Sequence, residues 1–145
     1  MKNVLILAQD FPPKNTIGAQ RPYSWFKYFS SIGVNTIVIT TDKNIENQSN
    51  KIISNNVIYC KCKLSPQENF IRKFGENRFN IIRKIISFNV SIFQYLFSYY
   101  DKNYEIYVQS KEILKTNEID CIIASGEPFT LFKYAHKLSR NYGVN

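Results

Sequence analysis

The most constraining feature of this sequence is an unbroken apolar run close to its start. Residues 4–8 read Val-Leu-Ile-Leu-Ala, without the alternation of apolar and polar side chains that a strand with one solvated face shows. A strand that is apolar on both sides is typical of a parallel sheet whose two faces are covered by helices. We therefore expect a strand at residues 3–8 inside an α/β fold.

A long polar segment with a glycine follows this strand. Residues 9–21 contain an Asp-Phe-Pro-Pro stretch and then Gly18. Connections from strand to helix are usually about 2–6 residues long, and longer ordered ones tend to carry function. A glycine lets the backbone approach a ligand, and the start of a helix offers free N–H groups. The pattern predicts a ligand-binding loop and a helix at 22–32 with Pro22 in its first turn; an ordinary connection is the alternative.

Strands and helices continue to alternate along the chain. Further strands are predicted at 35–41, 57–62 and 119–125, helices at 101–118 and 129–142, and a polar loop at 42–55. This alternation implies a parallel sheet with right-handed crossovers, flanked by helices. Ligands of such sheets bind beyond the carboxyl ends of the strands. The segments 9–21 and 125–129 both follow strands, so we expect them to form one side of a cleft.

Length and composition exclude several classes of protein. The 145 residues, 44% of them hydrophobic, suffice for one domain with its own core. No run of about 18 apolar residues predicts a membrane-spanning helix, and no secretory leader opens the chain, so we expect a cytoplasmic protein. The cysteines Cys60, Cys62 and Cys121 are too few for a disulfide scaffold. With one histidine, His136, they make no metal-ligand set, and we expect no metal or other cofactor.

The middle of the chain joins a basic cluster to an apolar helical pattern. Residues 61–84 contain seven Lys or Arg and two Glu, and residues 85–100 contain no charge. A helix predicted at 79–100 either packs in the core or against a partner domain, or it lies in a bilayer interface with the basic residues on the lipid headgroups. For the second interpretation, the predicted membrane-binding residues are Lys73, Arg78, Arg83 and Lys84.

Several enzyme classes lack their motifs here. There is no Gly-x-Ser-x-Gly of a serine hydrolase, no Gly-x-x-x-x-Gly-Lys-Ser/Thr of a phosphate loop, and no Gly-x-Gly-x-x-Gly of a dinucleotide fold. The net charge of +8 keeps nucleic-acid binding as a third hypothesis. No nucleic-acid-binding motif accompanies that charge, so we do not expect nucleic acid as a partner.

Two long segments carry a family resemblance. Residues 3–29 read NVLILAQDFPPKNTIGAQRPYSWFKYF, followed by the strand NTIVITT, and residues 119–145 read IDCIIASGEPFTLFKYAHKLSRNYGVN. These segments resemble the N-terminal domain of glycosyltransferase family 4, whose members are retaining enzymes of the GT-B architecture with two Rossmann-like domains. The resemblance covers both ends of the chain and is weak across the middle.

The resemblance implies a substrate site at the two predicted loops. In that family the N-terminal domain holds the acceptor, and the C-terminal domain holds most of the nucleotide-sugar donor. By match, the substrate-binding residues are Asp10, Gly18, Ala19, Gln20, Arg21, Ser125, Gly126 and Glu127. Arg21 is the side chain expected to reach a pyrophosphate, and a solvated arginine is the alternative. Asp10 either touches a sugar hydroxyl or organises the turn. Glu127 stands where the family usually has proline, and no catalytic residue is assigned.

The resemblance also implies missing parts and partners. The donor-binding residues of the family lie in a C-terminal domain beyond this sequence, so we expect a truncated acceptor domain without transfer activity of its own. The implied partners are a nucleotide sugar and a glycan or polyprenyl-linked acceptor in surface polysaccharide assembly, at the inner face of the cell membrane. The alternative is a non-catalytic, membrane-associated subunit that recruits a separate donor-binding chain.

Overall fold

A computed structural model describes residues 2–42, 51–54 (backbone only), 56–62, 75, 81, 84–85, 88–89, 92, 101–126 and 129–145. The chain divides into two compact units. The first comprises Met1–Cys62 and Glu105–Asn145, and the second comprises Lys63–Tyr104. The first unit contains the β-sheet and the candidate site.

Strands and helices alternate in the described part of the chain. In order they are β1 (Asn3–Ala8), α1 (Ile17–Ser31), β2 (Asn35–Asp42), β3 (Lys51–Ser54), β4 (Val57–Lys61), α2 (Tyr104–Thr116), β5 (Cys121–Ser125) and α3 (Thr130–Tyr142). The four strands predicted from the sequence are all present within two residues of their expected bounds. The α/β class is therefore confirmed, and the fold is Rossmann-like.

The five strands form one sheet in the order β3-β4-β2-β1-β5. The four predicted strands run parallel, and β3 pairs antiparallel with β4 at the edge. The prediction of a loop over 42–55 is therefore wrong at residues 51–54. Two asparagines separate β3 from β4, and Asn56 has a φ of 63°. Asparagine tolerates this left-handed conformation, which a tight hairpin turn requires, so the Asn-Asn pair was the signal that we missed.

The order of the strands places a topological switch point beside β1. From β1 the chain moves outward through β2 to β4, and it later returns to the other side of β1 as β5. Connections on the two sides of β1 therefore leave the sheet in opposite directions. In open α/β sheets the crevice at such a reversal, beyond the carboxyl ends of the strands, is where ligands bind.

β1 is the centre of the core. Its even-numbered residues join Phe11 in a buried cluster against which Trp25 and Phe29 of α1 pack. The alternate residues Leu5 and Leu7 are also completely buried. Because successive side chains of a strand point to opposite faces, these leucines lie on the other face of the sheet. Helix α3 packs against β5 and β1. The unbroken apolar run is thus explained by cover on both faces.

Helix α1 begins five residues before its predicted start. Thr16 is the N-cap, with φ −118° and ψ 154°, and its hydroxyl oxygen accepts a hydrogen bond from the N–H of Ala19 at 3.2 Å. Pro22 lies inside the helix, where it has no N–H to donate to the carbonyl of Gly18. The placement of Pro22 in the first turn is therefore wrong. The capping bond of Thr16 sets the start of the helix, and threonine is a preferred N-cap residue.

The two later helices follow their predictions more closely. α2 is shorter than the predicted 101–118, and α3 ends at Tyr142 as expected. Gly143 terminates α3 in the left-handed conformation, with a φ of 66°. This conformation suits glycine, which has no Cβ to clash with the following carbonyl group.

In the second unit, residues 81, 84, 85, 88, 89 and 92 are helical, as the prediction for 79–100 requires at these positions. Ile81, Ile85, Phe88 and Ile92 are exposed and lie three or four positions apart, which puts them on one side of the helix. Burial in the core is therefore wrong for these four side chains. The other residues of 79–100 lie outside the described residues. Within the described part of the chain, no helix has the length and apolar content needed to cross a bilayer.

Candidate functional site

The segments that follow β1 and β5 leave the sheet side by side. Ala8 at the end of β1 is paired in register with Ser125 at the end of β5, and the two strands are parallel. Their carboxyl ends therefore meet at one edge of the sheet, at the topological switch point. The two segments that the sequence singled out lie at the same edge, as expected.

Asp10 organises the loop that follows β1. Its Oδ1 atom accepts a hydrogen bond from the Lys14 ammonium group at 3.2 Å, and its Oδ2 atom accepts one from the Thr16 hydroxyl at 3.3 Å. Because Thr16 caps α1, the Asp10 carboxylate connects the loop to the start of the helix. Of the two roles considered for Asp10, these contacts support the organisation of the turn, and they leave its side chain about 30% exposed.

Lys14 fastens the same loop to β2. Besides Asp10, its Nζ atom donates to the carbonyl oxygens of Thr41 at 2.8 Å and Gln9 at 3.4 Å. A lysine ammonium has three N–H groups, and these three acceptors use them all. Lys14 therefore holds the loop in place and has no donor left for a ligand. No local pattern predicts this role of Lys14, because Thr41 is far from it along the chain.

Two neighbouring strands hold the loop as well. The Tyr59 hydroxyl of β4 donates to the carbonyl oxygen of Pro12 at 2.6 Å. The hydroxyls of Thr40 and Thr41 donate to the carbonyl oxygen of Gln9 at 3.1 and 3.0 Å. Burial, with a smaller contribution from the nearby Asp42 carboxylate, raises the pKa of Tyr59 above its ordinary value. Tyr59 is therefore neutral and able to donate at physiological pH.

Gly18 is exposed in the first turn of α1 and faces Asp10. A methyl group added at Gly18 would lie 3.6 Å from Asp10 Oδ2 and 3.8 Å from Thr16 Oγ1, in ordinary van der Waals contact. Among the described residues, no acceptor bonds to the N–H groups of Ile17 and Gly18. This end of the site therefore combines a carboxylate oxygen near Gly18 with two N–H groups in the first turn of α1 that bond to no described acceptor.

The remaining predicted residues on this side lie in the helix rather than in a loop. Ala19 is buried, so its side chain is not available to a ligand. Gln20 and Arg21 are exposed on the first turns of α1. The expectation that Arg21 belongs to a glycine-bearing loop is wrong, because α1 already begins at Ile17.

The other side of the candidate site has fewer side-chain contacts. Ser125 is buried at the end of β5, and Gly126 has a φ of 89°. Phe129 is the N-cap of α3 and makes no capping hydrogen bond through its side chain. The Thr130 hydroxyl oxygen is buried without a hydrogen-bond partner in the described part of the chain. Glu127 and Pro128 lie outside the described residues.

The residues predicted to bind a membrane fall mostly outside the described part. This applies to Lys73, Arg78 and Arg83, whereas Lys84 is exposed on the helix of the second unit. No cluster of three or more His, Cys, Asp or Glu side chains suited to a metal ion occurs among the described residues. The three cysteines are free thiols.

A cleft of about 370 Å³ lies at the opposite edge of the sheet. It is lined by residues at the end of α2 and at the end of α3, among them Lys115, Glu118 and Tyr142. β5 begins at this edge, so the cleft is remote from the carboxyl ends of the strands. None of the residues predicted for substrate binding lines it.

Comparisons with known proteins provide no family for this chain. No protein-family model, no curated protein and no solved structure matches it. The α/β fold and the geometry at the ends of β1 and β5 therefore stand on the structure alone, and the likeness to glycosyltransferase family 4 stays a prediction from the sequence.

Proposed function

We propose that the first unit is the acceptor-binding half of a retaining, nucleotide-sugar-dependent glycosyltransferase of family 4. The observation that carries the proposal is the register of Ala8 with Ser125, which brings the loops after β1 and β5 together at the switch point of the sheet. Both loops belong to the segments that resemble the family, residues 3–29 and 119–145.

The chemistry at the start of α1 suits a sugar hydroxyl. A hydroxyl group both donates and accepts hydrogen bonds. Asp10 Oδ2 is an acceptor near Gly18, and the N–H groups of Ile17 and Gly18 are donors in the first turn of α1. An uncharged sugar fits this arrangement better than a phosphate, because a phosphate would be repelled by the Asp10 carboxylate and Lys14 has no N–H group left to offer.

This chemistry assigns the acceptor and the donor to different groups of residues. In this proposal the residues around Gly18 hold acceptor hydroxyls, and the C-terminal domain that the resemblance implies binds most of the donor. Arg21 is an exposed cation on the first turns of α1. Transfer requires the acceptor hydroxyl and the donor sugar to be held together in one geometry. The 145-residue chain is therefore proposed to bind an acceptor and to lack transferase activity by itself.

An NMR titration of the isotope-labelled chain tests the proposal. The probes are methyl glycosides of glucose, galactose and mannose, with UDP-glucose as the donor probe. We expect the glycosides to shift the amide signals of Asp10, Gly18 and Gly126. Absence of shifts with every glycoside, or shifts confined to the cleft near Glu118 and Tyr142, would contradict acceptor binding at the switch point.

The second candidate function is a non-catalytic, membrane-associated subunit that recruits a donor-binding chain. The observation that favours it is the exposed apolar side of the helix in the second unit, formed by Ile81, Ile85, Phe88 and Ile92. An activity assay on the protein translated from the complete reading frame separates the two candidates. Transfer by that protein alone supports the enzyme, whereas transfer that requires a separate chain supports the subunit.

A further inference from the structure

The outward side of α3 carries an exposed stripe that begins beside the acceptor site at Phe129 and extends along the helix. Four exposed residues lie three or four positions apart and therefore on one side of the helix: Phe129, Lys133, His136 and Arg140. On the opposite side, Leu131 and Leu138 are completely buried. The stripe is therefore the part of α3 that points away from the sheet.

This stripe is basic and has no acidic counterpart. The sequence of α3 contains no Asp or Glu. In the described part of the chain, no ion pair joins Lys133 or Arg140 to a carboxylate. Beside the stripe, the ammonium groups of Lys137 and Lys111 lie 5.4 and 5.7 Å from the centre of the Tyr107 ring, which adds two cations to the same region.

The exposed aromatic rings of Phe129 and Phe132 lie at the N-terminal end of the basic stripe. Phe129 is 73% exposed and Phe132 is 46% exposed, and their rings stack with centroids 6.2 Å apart. Phe129 also occupies the N-cap, where serine, threonine, aspartate or asparagine would stabilise the helix. Exposed apolar side chains that form a contiguous group are typical of surfaces that bind a partner.

We infer that the outward side of α3 binds an anionic lipid surface, with Lys133 and Arg140 on the headgroups and Phe129 and Phe132 in the interfacial layer. Basic residues attract the negative headgroups, and aromatic side chains at the same surface enter the boundary of the acyl region. The surface adjoins the acceptor site at Phe129, while Lys133 and Arg140 lie farther along α3, and the inference does not rest on the proposed function.

A lipid surface fits this side of α3 better than a protein partner does. The centres of protein interfaces are depleted of charged residues, and here the charges extend along most of the stripe. The outward side of a single helix is convex, and a planar bilayer requires no matching groove. The four residues are spread over about three turns of helix, which lets them all reach one plane.

Sedimentation with vesicles tests the inference. The probes are vesicles of phosphatidylcholine with and without phosphatidylglycerol, at low salt. The double variant Lys133→Gln/Arg140→Gln is compared with the control Lys2→Gln/Lys27→Gln, and each lowers the net charge of +8 by two. All four side chains are exposed, so both variants are expected to fold. Vesicle binding by Lys133→Gln/Arg140→Gln should fall about 30-fold, because each basic residue near an anionic surface contributes about fivefold. Binding by the control variant should fall much less.

A second pair of measurements examines the aromatic rings. We expect Phe129→Ser/Phe132→Ser to remove the part of the binding that persists at high salt, because salt screens the charges and leaves apolar insertion unchanged. Failure of the unaltered chain to sediment with phosphatidylglycerol vesicles would overturn the inference. Equal losses of vesicle binding in Lys133→Gln/Arg140→Gln and in the control Lys2→Gln/Lys27→Gln would overturn it as well. Binding of double-stranded DNA that requires Lys133 and Arg140, without vesicle binding, would assign the surface to nucleic acid instead.

Discussion

The two segments that meet at the candidate site are held in different ways. The loop after β1 is fastened by its own side chains Asp10, Lys14 and Thr16, and by hydroxyl groups of β2 and β4. The segment after β5 depends on the backbone conformation of Gly126 and on a helix start without a side-chain cap. Side-chain chemistry therefore determines the first side of the site, and backbone geometry determines the second.

The largest expected effect on stability comes from Lys14, the centre of the first loop. Lys14→Met removes a partly buried ammonium group from three acceptors, and hydrogen bonds to charged groups are worth about 1.5–3 kcal/mol. We expect the free energy of unfolding in urea to fall by about 2 kcal/mol. The control Lys27→Met, on the exposed side of α1, should change it by less than about 0.5 kcal/mol. Equal losses would mean that the loop is not held by Lys14.

On the other side of the site, Gly126→Ala tests the backbone alone. An added methyl would meet no described atom within 4 Å, but the φ of 89° is unfavourable for any residue with a Cβ. We expect a loss of about 1–2 kcal/mol by thermal unfolding. Gly126→Asn should cost less, because asparagine tolerates positive φ. If both substitutions are neutral, Gly126 does not determine this segment.

Thr16→Ala tests the connection between the first loop and α1. The substitution removes the bond to the Ala19 N–H and the hydroxyl that reaches Asp10, and loss of an N-cap side chain costs about 1 kcal/mol. Thr16→Ser keeps the oxygen and should retain most of the stability. A serine variant as unstable as the alanine variant would assign the effect to the lost methyl group.

Tyr59→Phe removes the bond to Pro12 and should cost about 1 kcal/mol at neutral pH. The pKa of Tyr59 is raised in the folded chain above the ordinary 10.0, so its contribution is complete below pH 10.0. Above that pH the unfolded chain ionises first, and stability falls until the pH passes the pKa of the folded tyrosine. In Tyr59→Phe, this part of the loss of stability at alkaline pH is absent. Urea unfolding at neutral and alkaline pH measures the difference, and parallel losses in both proteins would contradict it.

Gly18→Ala should have the smallest effect on stability and the most informative effect on binding. The added methyl makes only ordinary contacts, and alanine favours a helix over glycine, so we expect the free energy of unfolding to stay the same or to rise by about 0.5 kcal/mol. The methyl fills the space beside Asp10 Oδ2, so glycoside-induced NMR shifts should be lost. Shifts that persist in a folded Gly18→Ala chain would place the acceptor elsewhere, without affecting the lipid-binding inference for α3.

Local patterns predicted the elements of the fold well. The apolar run at residues 4–8 identified β1, and Gly143 identified the end of α3. The start of α1 differs from the prediction because Pro22, which suits a first helical turn, lies inside the helix that Thr16 caps. β3 was missed because a four-residue strand next to polar sequence shows little periodicity, although the Asn-Asn pair before β4 marked the turn.

The candidate site was predicted in outline but not in its contacts. The expectation that the segments after two distant strands share one edge follows from the rules for parallel sheets, and the register of β1 with β5 agrees with it. The role of Lys14 had no sequence signal, since its closest acceptor, the carbonyl oxygen of Thr41, lies 27 positions away. The contact of Tyr59 with Pro12 spans 47 positions.

The sequence by itself determined the α/β class and the positions of the parallel strands, because periodicity, capping and turn preferences act between residues a few positions apart. Only the tertiary structure decided what surrounds Gly18. There, Asp10 accepts from Lys14 and Thr16, and the lysine ammonium also donates to the carbonyl oxygen of Thr41 on β2. It also decided which side of α3 faces outward, because packing against β5 and β1 buries Leu131 and Leu138 and leaves the basic stripe exposed. The bonds of Lys14 to Thr41 and of Tyr59 to Pro12 join residues that are distant in sequence, and the sheet brings these residues together.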